Sequence, residues 1–174
     1  MFIKLSGIVL IMLGSIALGE SINYKRRKRI RELQSIHRAC MILQSEITYA
    51  GATLAESFQT IASRIGEDSI RQIFLQGAAM LCEDSGITFQ DIWTRLLECN
   101  QGQLQLKEED LRLLGQLGSC LGFQDRQMQL NAIGQYMLQL QQAMEQAQQE
   151  LPAQLKVTRS VGISMGVLIS IVLI

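Results

Sequence analysis

The sequence predicts an all-α protein in which a six-helix bundle lies between an N-terminal and a C-terminal transmembrane helix. Three observations support this fold class. The chain of 174 residues is apolar at both ends and polar between them. Apolar residues of the middle part recur with a helical period and never alternate as they would in a strand. The single proline, Pro152, lies close to the end of that part.

The two apolar ends are predicted to be membrane spans. Residues 3–22 are apolar apart from Lys4, Glu20 and small or hydroxyl-bearing residues, and about 20 residues suffice to cross a hydrocarbon core of roughly 30 Å. The second span is assigned to residues 157–174. Its wholly uncharged part, 161–174, is short, so it reaches spanning length only if the flanking basic side chains snorkel to the headgroups.

Basic residues adjoin each apolar segment on the side of the middle domain. Lys156 and Arg159 accompany the second span, and a basic collar follows the first. The collar consists of Lys25, Arg26, Arg27, Lys28, Arg29 and Arg31. Basic residues beside spans tend to stay in the cytoplasm, so a two-span hairpin with residues 25–155 in the cytoplasm satisfies both groups. The collar can also attract anionic lipid, but a topology determinant is the simpler interpretation.

A secretory signal peptide is the alternative for the first segment. Ala17-Leu18-Gly19 resembles a small-residue cleavage site, and Lys4 would supply the charged region before it. Cleavage would export the middle domain. The basic collar opposes translocation, and we therefore favour an uncleaved span.

The part between the spans is acidic although the whole chain is neutral. Residues 32–155 contain 7 Lys and Arg against 15 Asp and Glu, a net charge of −8. An acidic surface argues against nucleic acid as the main partner. With about 130 residues, this part is large enough for one domain and not for two.

The four cysteines of the chain form no C-x-x-C pair; they are Cys40, Cys82, Cys99 and Cys120. Each lies in an apolar helical pattern, where a free thiol packs as a small core side chain. We therefore expect buried thiols rather than disulfides or a metal site, in keeping with a reducing cytoplasm.

The first three helices of the domain follow from apolar spacing and capping signals. The first covers about residues 26–49. The second covers about 53–66 and opens with a capping box formed by Thr53 and Glu56. The third covers about 67–86 and opens with acidic residues that suit a helix N-terminus. The predicted core positions are Ile30, Leu33, Ile36, Cys40, Leu43, Ile47, Ile70, Phe74, Leu75, Ala78 and Leu81.

Three further helices complete the bundle. The fourth covers about residues 88–102 and is capped by Thr88, the fifth covers 108–122, and Asp125 is placed to cap the sixth. The apolar positions of the fourth are Phe89, Ile92, Trp93, Leu96 and Leu97. Pro152 is expected to kink or break this last helix, which should pair with the first because their spans adjoin. Its abundant Gln suits a contact with other subunits or a merely soluble face. The apolar positions of the last helix form an a/d seam: Leu130, Ile133, Met137, Leu140, Met144, Ala147 and Leu151.

The sequence contains no recognisable catalytic, cofactor-binding or metal-binding pattern, so we predict a protein that is not an enzyme. The only histidine, His37, has no neighbouring ligand or nucleophile pattern. The acidic run 108–110 is explained by the helix dipole. The glycines form no phosphate-binding loop. In the second span, Gly162 and Gly166 have the spacing of a helix-packing motif, which fits contact within one hairpin or between neighbouring copies.

Several short motifs occur in a fixed order along the chain. Residues 43–47, Leu-Gln-Ser-Glu-Ile, lead through Tyr49 to Thr53-Leu54. Residues 121–126, Leu-Gly-Phe-Gln-Asp-Arg, introduce the last helix, and Gln129 follows. Ser160-Val161-Gly162 opens the second span. Together with the first span and its collar, this order resembles the stage III sporulation protein AB family of endospore-forming bacteria over essentially the whole length.

The resemblance implies a fold, a function and a location. Members of that family look like reduced relatives of the type II secretion F protein, the inner-membrane platform of secretion systems and type IV pili. The expected protein is a platform of the sporulation channel, in the mother-cell membrane facing the forespore during engulfment. Its implied partners are a cytoplasmic secretion-type ATPase, stage III sporulation protein AA, and the other membrane components of the complex. Full platform proteins carry two tandem cytoplasmic domains, whereas this chain has one, so oligomerisation or a partner would have to supply the missing surface.

Four residues that match the family motifs are candidates for a partner-binding surface: Glu46, Asp125, Arg126 and Gln129. Helix capping alone would also explain Asp125, and pairing within the bundle would explain Glu46. A second class of function is a membrane-tethered adaptor or sensor outside secretion. Such a protein would form a coiled-coil dimer through the seam of residues 130–151.

Overall fold

The computed structural model describes residues 2–83, 86–122 and 125–173, without the side chains of residues 2–19, 22 and 151–173. These residues form six α-helices and no strand, which confirms the predicted all-α class. The helices are α1 (Phe2–Ser45), α2 (Leu54–Arg64), α3 (Asp68–Cys82), α4 (Phe89–Asn100), α5 (Glu108–Leu121) and α6 (Arg126–Leu173).

The chain forms two compact units. One consists of Met1–Lys28 together with Gln146–Ile174, and the other of Arg29–Glu145. Apart from Glu20 and Ser21, the predicted spans, 3–22 and 157–174, lie outside the residues whose side chains are described. Among the residues that are described, no helix is long and apolar enough to cross a membrane.

Side-chain caps fix the beginnings of two helices where the sequence predicts them. The Thr53 hydroxyl accepts the Glu56 N–H at 3.3 Å, and the Glu56 carboxylate accepts the Thr53 N–H at 2.8 Å. The Thr53 hydroxyl also donates to the Glu56 carboxylate at 2.9 Å. The hydrogen bonds from the Thr53 N–H and hydroxyl hold the pKa of Glu56 below its ordinary value, so their stabilisation is present at neutral pH and is lost as the pH falls through the lowered pKa. The Thr88 hydroxyl accepts the Asp91 N–H at 3.3 Å in the same way.

The chain departs from its predicted helices at two places. α6 continues through Pro152 to Leu173, so of the two predicted outcomes, a kink or a break, the break is wrong. Proline in a helix interior removes one backbone hydrogen bond at a cost of about 3 kcal/mol and can kink the helix without ending it. The predicted first helix ends instead in a π-turn, Glu46–Ala50. The Gly51 N–H closes this turn on the Glu46 carbonyl at 3.1 Å, and Gly51 takes the left-handed conformation, φ 59°, that glycine adopts without strain.

Aromatic side chains from three helices form the centre of the Arg29–Glu145 unit. The ring centroid of Phe58 lies 5.0 Å from that of Phe74 and 6.0 Å from that of Trp93. Phe89 stacks on Trp93 at 6.1 Å. The Trp93 indole N–H donates to the Leu114 carbonyl at 2.9 Å. This cluster joins α2, α3 and α4 to the middle of α5 through edge contacts and one buried hydrogen bond.

The helical period placed most core residues correctly. Of the predicted core positions, those that are buried are Leu33, Ile36, Cys40, Leu43, Ile47, Ile70, Phe74, Ala78, Ile92, Trp93 and Leu96. Leu75 was assigned wrongly, because it is 50% exposed while Ile73 is buried. On α3 the buried face runs through Ile73, Phe74 and Gly77, and position 75 lies beside it.

The cysteines also divide between core and surface. Cys40 is buried and Cys120 half-buried, as expected, but Cys82 and Cys99 are exposed near the ends of their helices. All four are free. Burial raises the pKa of the Cys40 thiol, and the neighbouring Cys120 raises it further. Burial raises the pKa of Cys120 as well.

We predict that thiol alkylation distinguishes these sites, because the reactive species is the thiolate. At pH 8, Cys82 and Cys99 should react rapidly with iodoacetamide, Cys120 slowly, and Cys40 only after unfolding. Peptide mass spectrometry before and after denaturation measures this order. Equal labelling of Cys40 and Cys82 in the folded chain would contradict the assigned core.

One glycine is required by close packing. A Cβ atom on Gly77 would lie 2.8 Å from the Phe58 ring and 3.1 Å from Leu96, whereas one on Gly115 in α5 would have no atom within 4 Å. Alanine normally stabilises a helix interior relative to glycine by about 0.5–1 kcal/mol. At position 77 this gain is opposed by overpacking, which typically costs about 1–3 kcal/mol.

The two glycine-to-alanine substitutions should therefore change stability in opposite directions. Gly77→Ala is expected to lower the free energy of unfolding and Gly115→Ala to raise it. Chemical denaturation of the detergent-solubilised chain, followed by circular dichroism, measures both. A Gly77→Ala variant as stable as Gly115→Ala would show that the Phe58 ring is not packed as described.

Candidate partner-binding surface

Two of the four residues chosen from the sequence have structural roles. The Asp125 carboxylate accepts the Met128 N–H at 2.8 Å and so caps the start of α6. The Gln129 amide is buried and donates to the Leu121 carbonyl at 3.2 Å, at the end of α5. Asp125 therefore fixes the start of α6, and Gln129 joins α6 to the end of α5.

Arg126 joins the start of α6 to the π-turn. Its Nη2 donates to the backbone carbonyl of Thr48, which belongs to the π-turn. Thr48 lies in the last turn of this helical segment, where carbonyl groups lack intrahelical donors. π-turns are also frequent at functional sites. The contact brings Glu46 and Arg126, which are far apart in the sequence, to the same end of the Arg29–Glu145 unit.

The π-turn presents two side chains that the bundle does not use. Glu46 is half-buried, and its carboxylate has no hydrogen bond or ion pair among the residues that the structure describes. Tyr49 is 86% exposed, the largest exposure of any bulky apolar or aromatic side chain described. We refer to Glu46, Tyr49 and Arg126 as the π-turn surface. Tyr49 was missed as a site residue although it follows the 43–47 motif, because a helical pattern cannot show that the turn carries it outward.

The last two residues of the basic collar, Arg29 and Arg31, form ion pairs within the Arg29–Glu145 unit. Arg29 forms a two-pronged ion pair with Asp110, with Nε–Oδ2 and Nη2–Oδ1 distances of 2.6 and 3.0 Å. Arg31 pairs with Glu67 on the surface, Nε to Oε2, at 3.2 Å. The remaining collar residues belong to the other unit, in which Lys25 and Arg27 are exposed and Arg26 and Lys28 half-buried.

A fully buried carboxylate lies beside these ion pairs. Glu32 has no exposed surface. It accepts hydrogen bonds from the Ser69 hydroxyl and the Gln105 N–H, each at 2.8 Å. Buried carboxylates need such partners because desolvation is costly. Sequence reasoning missed Glu32; the available signal was an acidic residue next to Leu33 on the apolar side of the first helix.

Two further predictions concern helix packing in the second span and metal binding. The span-packing pair Gly162 and Gly166 lies outside the described side chains, so its contacts stay a prediction. Across the described residues, no group of three or more His, Cys, Asp or Glu side chains could hold a metal ion.

Three of the six described seam positions of α6 are buried within the single chain, and the other three, Leu130, Met137 and Met144, are half-buried. Ile133, Leu140 and Ala147 are 0, 1 and 4% exposed. A coiled-coil dimer through the seam would need these side chains to be free for a partner helix. The arrangement weighs against the adaptor hypothesis in the form in which it uses this seam.

Three comparisons with known proteins identify the same family. The family model described as stage III sporulation protein AB matches residues 4–174. The stage III sporulation protein AB of Bacillus subtilis (strain 168) is 25% identical over 171 residues, which covers 98% of this chain and 99% of the relative. A solved structure with the same description has a TM-score of 0.66 and 25% identity, and the match covers 72% of this chain and 97% of that chain.

The capping role of Asp125 can be tested by comparing the stabilities of two variants. Asp125→Ala should lower the free energy of unfolding by about 1 kcal/mol, because it removes the N-cap acceptor of α6. Asp125→Asn should have little effect, since asparagine caps equally well. Thermal unfolding followed by circular dichroism measures the difference. Equal stability of the two variants would mean that the side chain does not cap the helix in solution.

Proposed function

Since the chain belongs to the stage III sporulation protein AB family, we propose that it is a non-enzymatic platform protein of a sporulation channel complex. In this proposal, a two-span hairpin anchors the chain in the mother-cell membrane facing the forespore. The Arg29–Glu145 unit lies in the cytoplasm and docks a secretion-type ATPase. The work of hydrolysis belongs to the ATPase, and this chain positions it relative to the membrane components.

The membrane location is supported by the distribution of apolar and basic residues. Two apolar segments of the sequence are each accompanied by basic residues on the side of the middle domain. The two ends of the chain, Met1–Lys28 and Gln146–Ile174, also form one compact unit, as the two arms of a hairpin would. A pair of adjacent spans with a cytoplasmic domain between them accounts for both observations.

The observation that carries the docking proposal is the π-turn surface. Exposed aromatic rings and arginine side chains are enriched among residues that dominate binding at protein interfaces. Tyr49 supplies such a ring, and Glu46 supplies a carboxylate that is unpaired among the described residues. A partner that offers a basic side chain beside an apolar pocket would satisfy both groups. The Arg126 bond to the π-turn holds this surface in place before the partner arrives.

The interior of the domain suits a mechanical role. The Arg29–Asp110 ion pair connects α1 to α5, and the hydrogen bond from Ser69 to Glu32 connects α1 to α3. The aromatic cluster connects α3 to α2 and α4. Close-packed interiors have low compressibility and transmit strain. A load applied at the π-turn surface would therefore pass through the bundle rather than be absorbed by it.

Binding to the ATPase tests the proposal directly. The full chain in lipid nanodiscs should bind purified stage III sporulation protein AA, and Glu46→Lys should weaken this binding at least ten-fold because it reverses the unpaired charge. Tyr49→Ala should have a comparable effect through the loss of the exposed ring. Biolayer interferometry measures the dissociation constants. Glu98→Lys, an exposed charge reversal on α4, is the matched control and should bind as the unchanged chain does.

Two results would count against the proposal. One is a folded chain that does not bind the ATPase, or that binds it equally well with lysine at position 46. The other is export of the domain, which a reporter fused at Gly102 would detect in cells.

A further inference from the structure

One face of α6 is exposed and uncharged along more than four turns, residues 127–142. Its members share exposure and a spacing of three or four residues, which aligns them on one side of a helix. We call this face the neutral stripe: Gln127, Asn131, Gln135, Leu138 and Gln142. At about 100° per residue, it lies roughly 150° around the helix from the seam that contains Ile133 and Leu140. The stripe thus points away from the core that the same helix helps to form.

The lack of charge on α6 is unusual for this domain. No charged residue occurs among the 18 residues 127–144, while the next longest uncharged run between Arg29 and Glu145 has 12 residues, 113–124. The domain as a whole is acidic, so two copies repel each other across most of their surfaces. The neutral stripe is a face across which a second copy can approach without opposing like charges.

The chemistry of the stripe fits contact with itself. Glutamine and asparagine amides both donate and accept hydrogen bonds, so each can pair with its own equivalent. Leu138, in the middle of the stripe, is 57% exposed and would be covered by the same residue of a second copy. One turn earlier, a Cβ atom on Gly134 would meet nothing within 4 Å, which leaves room beside Leu138.

We propose that α6 forms a parallel two-fold contact with a second copy of this chain through the neutral stripe. The proposal rests on the proposed membrane location, because two copies of α6 that end in the same membrane run in the same direction. In a parallel two-fold contact each residue near the axis faces its own equivalent. A charge in the stripe would then face the same charge, and the stripe has none. The contact would place two copies of the helical domain side by side.

Disulfide trapping of the full chain in lipid vesicles tests the contact. The exposed Cys82 and Cys99 are first changed to serine, and Asn131→Cys is introduced on this background. Copper phenanthroline should then produce at least ten-fold more covalent dimer than with Leu75→Cys, a control at a comparably exposed leucine on α3. Leu138→Cys should behave like Asn131→Cys. Adding Gln135→Lys should lower the Asn131→Cys yield at least five-fold, whereas Gln135→Asn should not.

The outcomes separate the contact from its alternatives. Yields equal to the Leu75→Cys control, with the helical content unchanged by circular dichroism, would overturn the proposal. A disulfide between Asn131→Cys and Gln142→Cys chains without self-linking of either would mean an antiparallel contact and would overturn the parallel one. Cross-linking only to another protein in native membranes would assign the stripe to that partner and would also overturn it.

The vesicles contain no ATPase, so the contact and the proposed function fail separately. A covalent dimer from a chain that does not bind the ATPase would leave the contact standing. ATPase binding by a chain that forms no dimer would leave only the docking proposal.

Discussion

The carboxylate of Glu32 fixes where α1 meets two other parts of the helical domain. It is removed from solvent, and its bonds to Ser69 and Gln105 come from the start of α3 and the segment before α5. An unpaired buried carboxylate would cost several kcal/mol, so a shift of either segment along α1 is strongly disfavoured. The Arg29–Asp110 ion pair, one turn earlier on α1, holds the first turn of α5 in the same register.

The consequences of this register extend along α5. The opposite end of that helix is bound by Gln129, and the capped start of α6 follows it. From there Arg126 reaches the π-turn. A polar network at one end of α5 therefore determines where the π-turn surface lies at its other end.

Local signals in the sequence were sufficient for the helices. The caps at Thr53, Thr88 and Asp125, and the helical spacing between them, placed the boundaries of most helices within a few residues. The π-turn was not predictable in this way, because the hydrogen bond that ties it to the bundle joins Arg126 and Thr48, which are far apart in the sequence. Glu32 was missed for a related reason: a carboxylate is buried only when distant segments provide donors.

The candidate site illustrates the same limit. Asp125 and Gln129 match family motifs, and they bind backbone groups at the start of α6 and the end of α5. Glu46 matches as well, and its charge is not used within the described residues. A motif alone cannot distinguish a residue that stabilises the fold from one that binds a partner, since either role restricts which amino acid can occupy the position. The geometry around each side chain makes the distinction.

The contact between Gly77 and the Phe58 ring has a consequence for how this family can diverge. A larger residue at position 77 fits only if position 58 becomes smaller, so the two positions form a coupled pair rather than two independent ones. Substitutions there should be tolerated as compensating pairs and selected against singly. In a collection of related sequences, the pair should therefore covary although its members lie on different helices, 19 residues apart, and that covariation would record how tightly α2 and α3 are packed.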